Sequence, residues 1–150
     1  MSAVDAFETA LLDHLFQNAA IANVGDAAGL PISVGAGSVQ LALATVAYND
    51  ADTLLTADEV VYTGYVRPTD TRNATEWPSS GTSPTIVQNG NLIQFGEMTA
   101  GGPDTVVHLG LGLIGTGDIL RIHADLDADL VINNGVNPQF AVNAFDISLD

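Results

Sequence analysis

No lysine and no cysteine occur among the 150 residues, and the cationic side chains are three arginines, Arg67, Arg72 and Arg121, against 18 carboxylates. Without cysteine, disulfide stapling and thiolate metal sites are excluded, and the redox compartment stays undefined. Without clustered Lys and Arg, a formal charge of −15 repels phosphate backbones and anionic lipid surfaces, so nucleic acid and membranes are not expected partners. The first residues lack the basic start and continuous apolar core of a secretory leader, and no run approaches about 18 consecutive apolar residues. Export by that route and a membrane span are therefore not expected, and the chain is expected to begin near Met1.

What is present is core-forming: 47% of residues are hydrophobic and 14% charged, in a length that suits one domain. Phe7, Leu11, Leu12, Leu15 and Phe16 recur at helical spacing, and Asp5 followed by Glu8 reads as a capping signal, which predicts one amphipathic helix over about residues 5–19. Its apolar stripe either packs on the domain core or docks onto a neighbouring subunit. Glycines, Pro31 and small residues make 20–37 a connector, and everything from 38 to 150 reads as β.

The β pattern is discontinuous. Val39, Leu41 and Leu43 alternate with small or polar residues, 60–67 carries Tyr62 and Tyr65, and 68–84 is a long irregular stretch holding Trp77, the one tryptophan. Residues 86–88 and 92–95 flank Asn89-Gly90, a pair suited to positive φ at a tight hairpin turn. Further strands are expected at 105–114, 119–124, 130–133 and 140–147. The total, roughly eight, predicts a mainly β, single antiparallel sandwich or jelly-roll-like domain with one N-terminal helix.

Chemistry-bearing motifs are few. The run Gly110-Leu111-Gly112-Leu113-Ile114-Gly115 has the letters of a dinucleotide loop, but a strand-like run follows it where a helix is required; it reads instead as a strand whose glycines admit a close neighbour. Asp125, Asp127 and Asp129 invite a cation, yet along an extended chain adjacent members lie about 6.6 Å apart, too far for all three to ligate one ion. An acidic solvated face fits better, and no metal or cofactor is expected. His14, His108 and His123 lack ligand spacing and read as structural. No Gly-x-Ser-x-Gly occurs, and no enzyme is expected. Arg67 and Arg72 flank the loop of Glu76 and Trp77, where they either order the loop or meet a partner.

Several segments, taken in order, resemble a family of small tailed-bacteriophage virion proteins commonly labelled phage tail fibre proteins. They are 7–16 in the helix, Val39-Gln40-Leu41-Ala42-Leu43-Ala44-Thr45, Glu59-Val60 leading into Tyr65-Val66-Arg67, Trp77, 91–95, Val106-Val107-His108-Leu109-Gly110, and the ending Phe145-Asp146-Ile147-Ser148-Leu149-Asp150. The resemblance implies a non-enzymatic virion component. Because fibre-shaft repeats and heptads are missing, a capsid decoration or cement protein on the outer surface of the head is expected, with tail fibre or tail surface as the alternative. A carbohydrate- or ligand-binding β-module is the alternative from another class. The implied partners are the major capsid protein or other virion proteins and further copies of the chain, and the candidate contact residues are Phe7, Leu11, Leu15, Phe16, Arg67, Arg72 and Trp77.

Overall fold

The computed structural model describes residues 3–81, 84–114 and 118–149. Met1, Gly115 at the end of the glycine pattern, and Asp150 at the end of the C-terminal motif lie outside them. In chain order the elements are α1 (Asp5–Gln17), β1 (Ser38–Ala44), β2 (Thr69–Thr71), β3 (Ser79–Ser80), β4 (Ile86–Gln88), β5 (Ile93–Gln94), β6 (Asp104–Ile114), β7 (Ile122–Ile132), β8 (Gln139–Phe140) and β9 (Asp146–Ser148). The fold is mainly β with several antiparallel sheets and one helix, the sandwich-like class that the sequence predicts. The chain groups into two compact units, each assembled from separated segments: Met1–Gly37, Thr71–Ile93 and Phe140–Asp150 in one, Ser38–Asp70 and Gln94–Gln139 in the other.

The first unit packs α1 with the three-stranded sheet β3-β4-β9. The helix is shorter than its apolar spacing suggests and begins differently: Val4 is the N-cap, and no side chain caps it. Asp5 already lies in the first turn, where its charge faces the positive end of the helix dipole. At the other end Asn18 adopts the left-handed conformation, φ 58°, and stops the helix before residue 19. Glu8, Leu12 and Phe16, spaced by four, form the buried stripe. Val87, central in β4, pairs with Ser79 on one side and Ile147 on the other.

The Asn89-Gly90 hairpin does not form. Neither residue takes positive φ, and β4 pairs with β3 and β9, β5 with β8. The Asn89 amide is instead buried as a cross-link: it donates to the carbonyls of Asn91 (2.7 Å) and Ala141 (2.8 Å), while its Oδ1 accepts from the Phe145 N–H (2.9 Å). Gly90 is required by a close approach, since a Cβ there would meet the Thr75 carbonyl oxygen at 2.2 Å.

The second unit centres on β1, inside a sheet of order β2-β1-β6-β7. Leu41 pairs with Leu111 and Leu43 with Leu109, whereas Ala42 faces Gly110 and Gln40 faces Gly112. These small residues make room for a covering layer: a Cβ on Gly110 would meet Tyr48, Leu55 and Leu120 at 2.7–3.0 Å. Ala42, Ala44, Tyr48, Leu55 and Leu120 accordingly form one buried cluster. The glycine pattern thus serves close packing on a strand, as its context predicts.

Four expected strands are corrected. Residues 60–67 are not a strand: Gly64, at φ 98°, and the Tyr65 N–H bond to the Tyr62 carbonyl turn the chain there. Residues 119–124 and 130–133 do not form two strands, because β7 runs continuously across the acidic segment. Between the pairs Val106–Leu130 and His108–Asp125, β7 contributes more residues than β6, so 126–129 bulge from the ladder. The expected strand over 140–147 is broken by Asn143 in the left-handed region, leaving β8 and β9.

Candidate functional site

Arg72 binds backbone carbonyls. Its Nε donates to the Leu15 carbonyl, Nη2 to the His14 carbonyl, and Nη1 to the Ala36 carbonyl at 3.0 Å. One guanidinium thereby satisfies two acceptors that the end of α1 leaves open and pins the connector to the same point. Burial lowers its pKa. His14 Nδ1 donates to the Ala19 carbonyl at 2.7 Å, so this histidine too completes the helix end.

Trp77 and Phe16, read from sequence as contact candidates, are both 0% exposed, with ring centroids 5.3 Å apart. Their apolar surface is consumed inside the first unit. The loop before Trp77 orders itself: Asn73 Oδ1 accepts from the N–H groups of Thr75 (2.8 Å) and Glu76 (3.0 Å), and Gln17 Nε2 donates to the Trp77 carbonyl at 3.0 Å. Of the remaining helix candidates, Leu11 and Leu15 are half-buried and Phe7 is 40% exposed. Exposed apolar residues that the spacing did not single out also lie in the connector, at Leu30, Ile32 and Val34.

In the second unit Arg67 is the electrostatic centre. Nε and Nη2 grip both oxygens of Glu59 at 2.5 Å, Nη1 reaches Asp118 Oδ1 at 2.5 Å, and Gln40 Oε1 lies at 3.3 Å. The Arg67 and Glu59 side chains are 12% and 10% exposed, Asp118 50%. Hydrogen bonding to Glu59 holds the guanidinium's pKa above its ordinary value against the opposing effect of burial. The fork ties β1, the segment after Ala44 and the segment before β7 to one another.

The three aspartates Asp125, Asp127 and Asp129 all lie exposed on β7, the last two within the bulge. Among the described residues no group of three or more His, Asp or Glu is placed to hold a metal ion. No described helix is long and apolar enough to cross a membrane.

Sequence reasoning missed one constellation: His108 on β6 and His123 on β7 meet edge to face, with ring centroids 5.2 Å apart and His123 Nδ1 3.3 Å from His108 Nε2. Only the pairing of β6 with β7 reveals it, because 15 positions separate them in sequence.

These sites are built to hold the fold. The sequence pattern as a whole matches one family model, Podophage GP4 fiber I protein gp80, over residues 2–148. The chain belongs to this family. No curated protein matches it significantly. Members of such a tail-fibre-type structural family are virion components. A structural part suits what is observed in this chain, where Arg67 and Arg72 are committed to internal anchoring and the net charge is strongly acidic.

Proposed function

We propose that this chain is a non-enzymatic component of the tail-fibre apparatus of a podophage, acting by attachment to other virion proteins and to further copies of itself. The observation that carries this is the family match across residues 2–148. It favours the tail over the capsid-decoration role that the missing shaft repeats suggested. Support also comes from the side chains: Arg67, Arg72, Trp77 and Asn89 all have internal structural tasks. The contact surface is then assigned to groups that remain outside, Phe7 on α1 and Ile32 and Val34 of the connector. Apolar residues in an uncharged part of the connector let acidic neighbours meet without apposing carboxylates.

Purified particles labelled with gold-tagged antibody against the folded chain test this assignment. Label confined to the tail is expected. Label spread over the head would instead establish the decoration role, and particles free of the protein would remove it from the virion altogether.

A further inference from the structure

The histidine contact in the second unit is independent of the attachment role proposed above. A ring nitrogen at 3.3 Å from another ring nitrogen needs one hydrogen between the two: one nitrogen donates and the other must present its lone pair. Each outer nitrogen faces a carboxylate, His108 Nδ1 toward Asp125 Oδ1 at 3.7 Å and His123 Nε2 toward Asp50 Oδ1 at 3.5 Å. The row Asp125, His108, His123, Asp50 therefore accommodates a single added proton without breaking the central contact.

A second proton has no such place. It would put hydrogens on both inner nitrogens and two like charges side by side. The two rings are not equivalent, since His108 is 4% exposed whereas the His123 side chain is 26% exposed. Of the two, His108 is the ring whose protonation places charge in the interior. Burial lowers the pKa of His108, Asp125 raises it and His123 lowers it further. From the remaining neighbours, β1 brings uncharged Ala44 opposite His108, and the segment that follows β1 brings Tyr48, whose ring lies 5.7 Å from His108 and 6.3 Å from His123. Around Tyr48 stand Asp52, Asp58, Glu59 and Arg67, the last already paired with Glu59.

We infer that the His108–His123 pair is a proton-operated latch on β7: one shared hydrogen closes it, and double protonation parts the rings. Opening is directed by the ladder. The His108–Asp125 pair borders the bulge at 126–129, where β7 has already left its regular pairing with β6, so relieving the charge exposes His108 by detaching the adjoining part of β7. Tyr48 follows because it packs on both rings, and its hydroxyl, which donates to the Leu55 carbonyl at 2.5 Å, links the motion to the segment up to Leu55. The trigger lies in the mildly acidic range in which histidine is the side chain that titrates.

Hydrogen exchange of the full chain, corrected for intrinsic rates and followed by mass spectrometry between about pH 7 and pH 5, tests the latch. Peptides covering 122–132 and 45–55 are expected to lose protection by about tenfold or more across that range, with α1 unchanged. His123→Gln keeps a neutral hydrogen-bonding group beside His108 and is expected to flatten the response. An unchanged acid step in this variant, or a wild-type chain with no step, overturns the latch. Imidazole nitrogen NMR on the wild type decides the matter without any substitution: two separated protonation steps support the shared hydrogen, and one common step with independent rings refutes it.

Discussion

Replacing Arg67 with methionine removes the guanidinium while keeping much of the stem's volume. What remains is the Glu59 carboxylate, 10% exposed, with both oxygens deprived of charged donors. Breaking a buried ion pair by deleting one member costs about 3–5 kcal/mol, and the half-exposed Asp118 adds at most about 1 kcal/mol because water takes over its solvation. Some water can also reach Glu59, so the lower end applies and a loss of about 3 kcal/mol is expected. Set against a total of roughly 5–15 kcal/mol for an ordinary domain, this is a large fraction. Urea unfolding followed by far-ultraviolet circular dichroism measures it: with a slope of about 1–3 kcal/mol per molar, the midpoint should fall by roughly 1–3 M at unchanged slope. Adding Glu59→Gln should recover more than about 1 kcal/mol, because the stranded charge is then gone. A single variant within about 0.5 kcal/mol of wild type, or a double variant showing simple additivity, would refute the view that the fork anchors this unit.

Other substitutions probe other contacts. Trp77→Ala should cost about 3–5 kcal/mol in the same unfolding experiment, whereas Trp77→Phe should cost under about 1.5 kcal/mol, since the buried indole N–H has no hydrogen-bond partner to lose. Arg72→Met, which uncovers the carbonyls of His14, Leu15 and Ala36, should destabilise by about 2 kcal/mol and raise exchange first at the end of α1. Gly90→Ala forces a Cβ against the Thr75 carbonyl and is expected to lower the thermal midpoint by several degrees, about 1–3 kcal/mol of strain. The lowered His108 pKa also sets a sign: the unfolded chain binds more protons there than the folded one, so its contribution is complete above about pH 6.5 and declines as pH falls through that value. Urea midpoints should therefore drop between about pH 7 and pH 5, and His108→Gln should reduce the drop.

The helix was legible because Leu12 and Phe16 obey a local period, and the same local logic explains where prediction failed. Asn89-Gly90 has the strongest hairpin preference in the chain, yet the Asn89 amide bonds to Asn91, Ala141 and Phe145, and distant partners outweigh a modest local turn preference. Trp77 read as a contact candidate because it stands in a long irregular stretch; its partner Phe16 is 61 positions away and leaves no mark there. The continuity of β7 was hidden by aspartates, which depress strand preference but are acceptable on an exposed edge where charge discourages unwanted pairing. The glycines of β6 were readable from context, because no helix pattern followed them. The candidate contact residues divided for a simple reason: apolar spacing reports that a side chain avoids water, not whether its own fold or a partner covers it.

Assignment of the chain as a building block of the podophage tail fibre stands or falls on where it sits in the finished particle. A reconstruction of intact virions by electron cryomicroscopy answers this. Density at the tail is expected, into which α1 and the β2-β1-β6-β7 sheet fit with contacts to neighbouring protein; the same density on the head lattice, or none anywhere in the particle, would contradict the assignment.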